Sequence, residues 1–106
     1  MTTTALRFSK TRPGRYSATA DGVRYIATKH DTGDWGLLIQ ETETVADVVV
    51  AKSGGWERWH EADSLRDAKV IAQAFADLAD RPVADRFREA ISLSYDRLME
   101  ADAAKA

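Results

Sequence analysis

The amino-acid sequence predicts an α+β fold: an antiparallel β-meander of three to five strands packed on an amphipathic helix, followed by a second C-terminal helix. Three observations carry this expectation. Leu65, Ala68, Ile71, Ala72, Phe75, Leu78 and Ala79 recur at steps of three and four, which gathers them on one stripe of a helix. Ahead of that helix, residues 15–20 and 23–30 are β-like runs separated by Asp21-Gly22, the strongest short-range hairpin signal. Two further β-like runs, residues 35–41 and 45–51, follow before the helix, so the sheet comes first in the chain and supplies the surface that the helix stripe needs.

In chain order, residues 1–5 are expected to be loose, and Leu6 and Phe8 alternate with polar residues as in a short edge strand. Residues 10–14, KTRPG, read as a turn, because proline fixes φ and glycine relieves the bend. The hairpin follows, and residues 31–34, DTGD, make a second turn. Residues 35–41 form a third strand whose continuous Leu37, Leu38 and Ile39 suggest a central position. Residues 42–44 are polar and read as a turn, residues 45–51 as a fourth strand, and residues 56–60 as a short fifth strand or a loop. Ser64 is a good N-cap for the first helix, with Asp67 three residues on as a short-armed capping box. That helix is assigned to residues 64–80. Pro82 suits the first turn of a second helix over residues 82–100, whose stripe is Val83, Phe87, Ile91, Tyr95 and Leu98. Residues 101–106 are expected to fray. The predicted core is Tyr16, Tyr25, Ile26, Leu37, Ile39, Val48, Val50, Leu65, Ile71, Phe75 and Leu78.

The length of 106 residues fits one domain with one core, residues 6–62 being β-rich and the rest helical. The chain contains no cysteine, so it has no disulfide framework, thiol nucleophile or thiolate metal site. It has neither an apolar run long enough to span a bilayer nor a signal-peptide pattern, and a cytoplasmic location is the expectation. Ten arginines against five lysines, eighteen alanines and no asparagine are the usage that GC-rich coding DNA favours. The net charge of −2 is unevenly laid out: residues 1–30 carry +5, residues 31–60 carry −4 and residues 61–106 carry −3. A basic front on an acidic body can steer an anionic partner to one face.

The scan for chemistry returns little. His30 and His60 are the two histidines. His30, Asp31 and Asp34 share a turn but fall short of the ligand number a structural metal site wants. His60-Glu61 opens like a zincin helix, but the second histidine four residues after His60 is missing, since Ser64 stands there. No nucleophile elbow, phosphate loop or dinucleotide fingerprint occurs. The chain is therefore read as a non-enzyme with no cofactor and no metal. Its aromatic residues are the better lead. Trp56 and Trp59 flank Arg58, with His60 next, and tryptophan and arginine dominate interface hot spots. The plainer alternative is that the indoles cover the end of the sheet. The second helix either docks beside the first or pairs with another copy, and Phe87, Ile91 and Tyr95 would then line a homodimer contact.

The stretches RPGRYSATADGVRYIATKHDTGDWGLLI and DSLRDAKVIAQAFADL, about half the chain, resemble in layout the AP2-type and integrase arm-type DNA-binding domains. That resemblance implies a sheet laid in the major groove, with Arg15, Arg24, Lys29 and Trp35 as the contacting positions, and Arg12 joins them as a candidate nucleic-acid contact of the basic hairpin. Acidic Glu41, Glu43 and Asp47 depart from it, since a phosphate-tracking face should be basic. The tryptophan followed by SLRDAK at the strand-to-helix junction, with the arginine- and alanine-rich usage, also resembles short accessory proteins of actinobacteria and their phages. That implies a protein directed at a host factor. The leading expectation is thus a small protein acting by protein–protein contact, and the alternative is a DNA-binding module using the basic hairpin.

Overall fold

A computed structural model describes residues 5–104. The elements are β1 (Ser9–Arg12), β2 (Arg15–Ala20), β3 (Val23–Lys29), β4 (Trp35–Val45), β5 (Val48–Ala51), β6 (Glu57–Ala62), α1 (Leu65–Asp77) and α2 (Val83–Ala104). Every strand pairing is antiparallel, so the predicted α+β meander is present. The strands run β1-β2-β3-β4 across the sheet, and β4 is then shared by two short partners. Trp35 to Gln40 pair with β6, while Thr42 to Val45 pair with β5. Glu41 is the junction: its N–H donates to the Trp56 carbonyl and its own carbonyl accepts from the Lys52 N–H, both at 2.9 Å. β5 and β6 therefore follow one another along a single edge of β4.

The Asp21-Gly22 turn has φ values of 53° and 76°, both left-handed, as a two-residue hairpin of matching twist requires. Two expectations are corrected nearby. Residues 42–44 are strand rather than turn, because β-branched Thr42 and Thr44 and the following Val45 favour extended backbone, and the chain reverses at Ala46-Asp47 instead. The β4–β5 hairpin consequently projects as an arm. Val48 is 57% exposed and Val50 half-buried, so neither belongs to the core. At the front, the chain is extended over Ser9–Arg12 and turns only at Pro13-Gly14, whereas Leu6 and Phe8 lie outside any strand and pack against the core. The Leu6 N–H is held by Gln73 Oε1 at 2.8 Å, and Lys69 lies 5.8 Å from the centre of the Phe8 ring.

Because side chains alternate along a strand, the register sorts the sheet into two faces. Tyr16, Ala27, Leu37 and His60 form one cross-strand row, and Ala18, Tyr25, Ile39 and Arg58 form the next. Both rows face the helices. Ser17, Ile26, Leu38 and Trp59 form a row on the opposite face. Tyr25, Leu37, Ile39 and Phe75 are the largest fully buried side chains, at the junction of sheet and α1.

Ser64 caps α1 as expected, its Oγ accepting from the Asp67 N–H at 3.1 Å. The buried face of α2 is Arg86, Ala90 and Ser94 rather than the larger predicted stripe. Small Ala90 and Ser94 let α2 lie close along α1, whose buried residues include Ala68, Ala72 and Ala74. Phe87 and Ile91 sit beside this contact, half-buried, and Tyr95 is 63% exposed. The helix continues to Ala104, so the expected fraying over residues 101–106 gives way to helix as far as the described residues extend. Of the expected loose start only Ala5 falls within the described residues. Among the described residues, no helix is long and apolar enough to cross a membrane.

Candidate functional site

α1 covers β3, β4 and β6, whereas α2 packs along α1 and reaches the sheet chiefly through Phe87. The Phe87 ring stands 5.6 Å from the Trp56 ring and 4.5 Å from the Phe75 ring, centre to centre. Trp56 also meets Phe75 at 5.7 Å. A cleft remains between α2 and β6. Its main cavity, about 330 Å³, has a floor of Ile39, Ile71, Phe75, Phe87 and Ile91. Arg58, Arg88 and His60 also line it, beside Ala84 and Ala90.

A second cavity of about 130 Å³ continues along α2 and shares His60, Ile71 and Ile91 with the first. The lining there changes sign: Glu61, Asp63 and Asp67 join Ser94, Tyr95 and Leu98. The cleft therefore runs from a cationic end to an acidic end over an apolar floor.

The charges differ in how they are held. Arg88 donates to Asp85 at 2.8 Å on its own helix. Arg58 lies 5.3 Å from the centre of the Phe87 ring, and among the described residues no carboxylate stands within ion-pair distance of it. A cation over an aromatic face keeps its charge available to an incoming anion. His60 is held below its ordinary pKa, first by burial and then by the Arg58 charge, with Glu61 opposing both.

Of the residues expected to bind a partner, Arg58, His60, Phe87 and Ile91 line the main cavity together. Tyr95 lines the second cavity. Trp56 braces the cleft wall through Phe87 and Phe75. Trp59 points to the opposite face of the sheet, its ring 5.6 Å from that of His30 and its indole lying over Gly36. The residues expected to meet DNA do not form one surface. Arg15 and Arg24 lie on the face away from the helices, Lys29 and Trp35 on the helix side, and Arg12 on the irregular edge strand. Arg24 is half-buried; its NH2 group donates to the Val49 carbonyl at 3.4 Å and its buried Nε has no hydrogen-bond partner among the described residues.

Arg88 and the acidic end of the cleft were not singled out by the sequence pattern. A cleft needs two elements to define it, and α2 stands over β6 through tertiary packing alone. The distinguishing signal was the run Arg86, Ala90, Ser94, whose steps of four mark the buried face of α2 and thereby turn Phe87, Arg88 and Ile91 towards the gap. Among the described residues no group of three or more histidine, aspartate and glutamate side chains is placed to hold a metal ion. No family model, curated protein or solved structure matches the chain.

Proposed function

We propose that the chain is a non-enzymatic protein-interaction module that holds a segment of a partner protein in the cleft between β6 and α2. The observation that carries this reading is the pairing of an apolar floor with an arginine, Arg58, that meets no carboxylate among the described residues. Such a site favours an apolar or aromatic anchor with a carboxylate beside it. Apolar contact supplies affinity, and the charge supplies orientation. The volume of about 330 Å³ suits one or two side chains rather than a folded domain.

Selection of a displayed random-peptide library on the immobilised protein tests this. Enriched sequences combine apolar and acidic residues, and the enrichment disappears on Arg58→Glu. A library that returns no consensus, or the same consensus on Arg58→Glu, rejects the reading. The same protein titrated with duplex DNA at two salt concentrations separates the basic-hairpin alternative, which requires binding that collapses as salt rises.

A further inference from the structure

We infer that β6 receives this partner segment as an added β-strand whose alternate side chains enter the two cavities in turn. The inference rests on the cleft being the binding site. Its first support is the hydrogen-bond parity of the sheet. In an antiparallel ladder, alternate residues bond to alternate sides. The Thr42 N–H donates to the Gly22 carbonyl on the β3 side, while the Glu41 N–H donates to Trp56 on the β6 side. Odd-numbered β4 residues thus serve β6, and through the register Leu37 meets His60 and Ile39 meets Arg58. The backbone groups of Arg58 and His60 are used up by β4. Those of Glu57, Trp59 and Glu61 point outward, where β6 pairs with no other strand among the described residues.

This edge is six residues long, its register runs without a bulge, and it contains no proline. Edges of that kind are templates for strand addition, in which main-chain bonds supply affinity and alternate pockets supply specificity. The side chains of Arg58 and His60 lie two residues apart, about 6.6–6.8 Å along a strand. Both line the main cavity, and His60 passes the groove on to the second cavity. An added strand has the same repeat, so its inward side chains fall into successive positions. Charge complementarity fixes their kind. The occupant is an extended segment whose inward residues run acidic, aromatic, aliphatic, basic, the acid at Arg58 and Arg88, the base at Asp63 and Asp67.

Two heptapeptides with blocked ends test this: Glu-Thr-Phe-Thr-Ile-Thr-Lys and its reverse, Lys-Thr-Ile-Thr-Phe-Thr-Glu, which together cover both strand directions. Each is titrated to millimolar concentration into isotope-labelled protein, and amide shifts and hydrogen exchange are followed by nuclear magnetic resonance. One of the two is expected to shift the amides of Glu57, Trp59 and Glu61 and to slow their exchange, leaving those of Arg58 and His60 as protected as before. Glu61→Pro removes one outward N–H without touching the β4 ladder. It is expected to bind about tenfold more weakly than Glu61→Ala, the loss of one backbone hydrogen bond. Binding that Arg58→Glu abolishes, with unchanged exchange at Trp59 and with Glu61→Pro equal to Glu61→Ala, overturns strand addition and leaves the cleft reading standing. No binding of either peptide to the wild-type protein overturns both.

Discussion

Arg86 on α2 lies flat against Phe75 on α1. Its guanidinium carbon is 3.9 Å from the ring centre, and its Nε donates to the Phe75 carbonyl at 2.7 Å. Phe75 is in the last turn of α1, where its carbonyl accepts from the Leu78 N–H at 3.3 Å, retains room for a second donor, and a positive charge is favourable. One side chain thus caps α1, stacks on the core and fixes where α2 stands. It fixes the width of the cleft as well, since Phe87 and Arg88 follow directly in the chain.

Arg86→Ala is accordingly expected to destabilise the fold by about 2–3 kcal/mol, the scale of a buried charged hydrogen bond with lost packing. Arg86→Met should recover part of this through its apolar stem. Arg86→Lys should recover little, because the ammonium cannot lie flat and donate at once. Urea unfolding of the three variants measures this. A loss below about 0.5 kcal/mol in Arg86→Ala would place the helix junction elsewhere.

Tyr25, 1% exposed, packs edge-on to Phe75 and has its pKa pushed up to about 12 by burial, against the opposing charge of Arg86. The folded state favours the neutral phenol. Its contribution is intact below pH 10 and is lost as pH rises from 10 towards 12. The loss amounts to roughly 2–3 kcal/mol. Tyr25→Phe should remove this alkaline weakening, and unfolding midpoints compared on either side of that window decide it.

Gly36 is buried under the Trp59 indole. A methyl group there would overlap the ring and stand 2.9 Å from His30 Nε2. Gly36→Ala is expected to destabilise by about 1–3 kcal/mol through overpacking. In a Trp59→Ala background the same change should do much less harm, because the obstacle is gone. A double-mutant cycle returning no coupling would mean that the indole sits elsewhere in solution.

How far the sequence could be read follows from which contacts are local. The Asp21-Gly22 hairpin and the Ser64 cap were legible because turn chemistry and capping lie within four residues. The α1 stripe was legible because its period is strong. Val48 and Val50 were misplaced because a β-branched run looks the same in a core strand and in a projecting arm. Only the pairing of β5 with the far end of β4, beyond the reach of the helices, separates the two. On α2 the large residues drew attention, although close helix packing selects small ones. The site was half legible. Arg58 and His60 alternate with Trp59 along β6, and their common face depended on a register that the sequence alone left open.

The β4–β5 arm supplies a contrast in stability. Val45, Val48 and Val49 are exposed by 44–57%, so Val48→Ala should change stability by no more than about 0.5 kcal/mol. Ile39, 2% exposed at the cleft floor, should lose about 2–5 kcal/mol on change to alanine. A large effect at Val48 would mean that something covers the arm in solution, and sedimentation of the wild-type protein at rising concentration would then reveal a second copy.

His60 makes the cleft sensitive to pH in a direction that can be worked out. Burial, then Arg58, hold its pKa below the ordinary 6.5, so the free fold favours the neutral ring. That contribution to stability is present above pH 6.5 and is lost as pH falls through the depressed value. A carboxylate entering at Arg58 brings negative charge towards the ring and raises its pKa, so binding takes up a proton. Affinity for the acid-bearing heptapeptide should therefore rise as pH falls from 6.5 towards about 5, while the stability of the free protein declines. His60→Gln should flatten both trends, since glutamine keeps a polar side chain there without a titrating charge. Calorimetric titrations in buffers of different ionisation enthalpy count the proton directly. Proton release on binding, or a trend that survives His60→Gln, would mean that the acid of the segment does not lie beside His60.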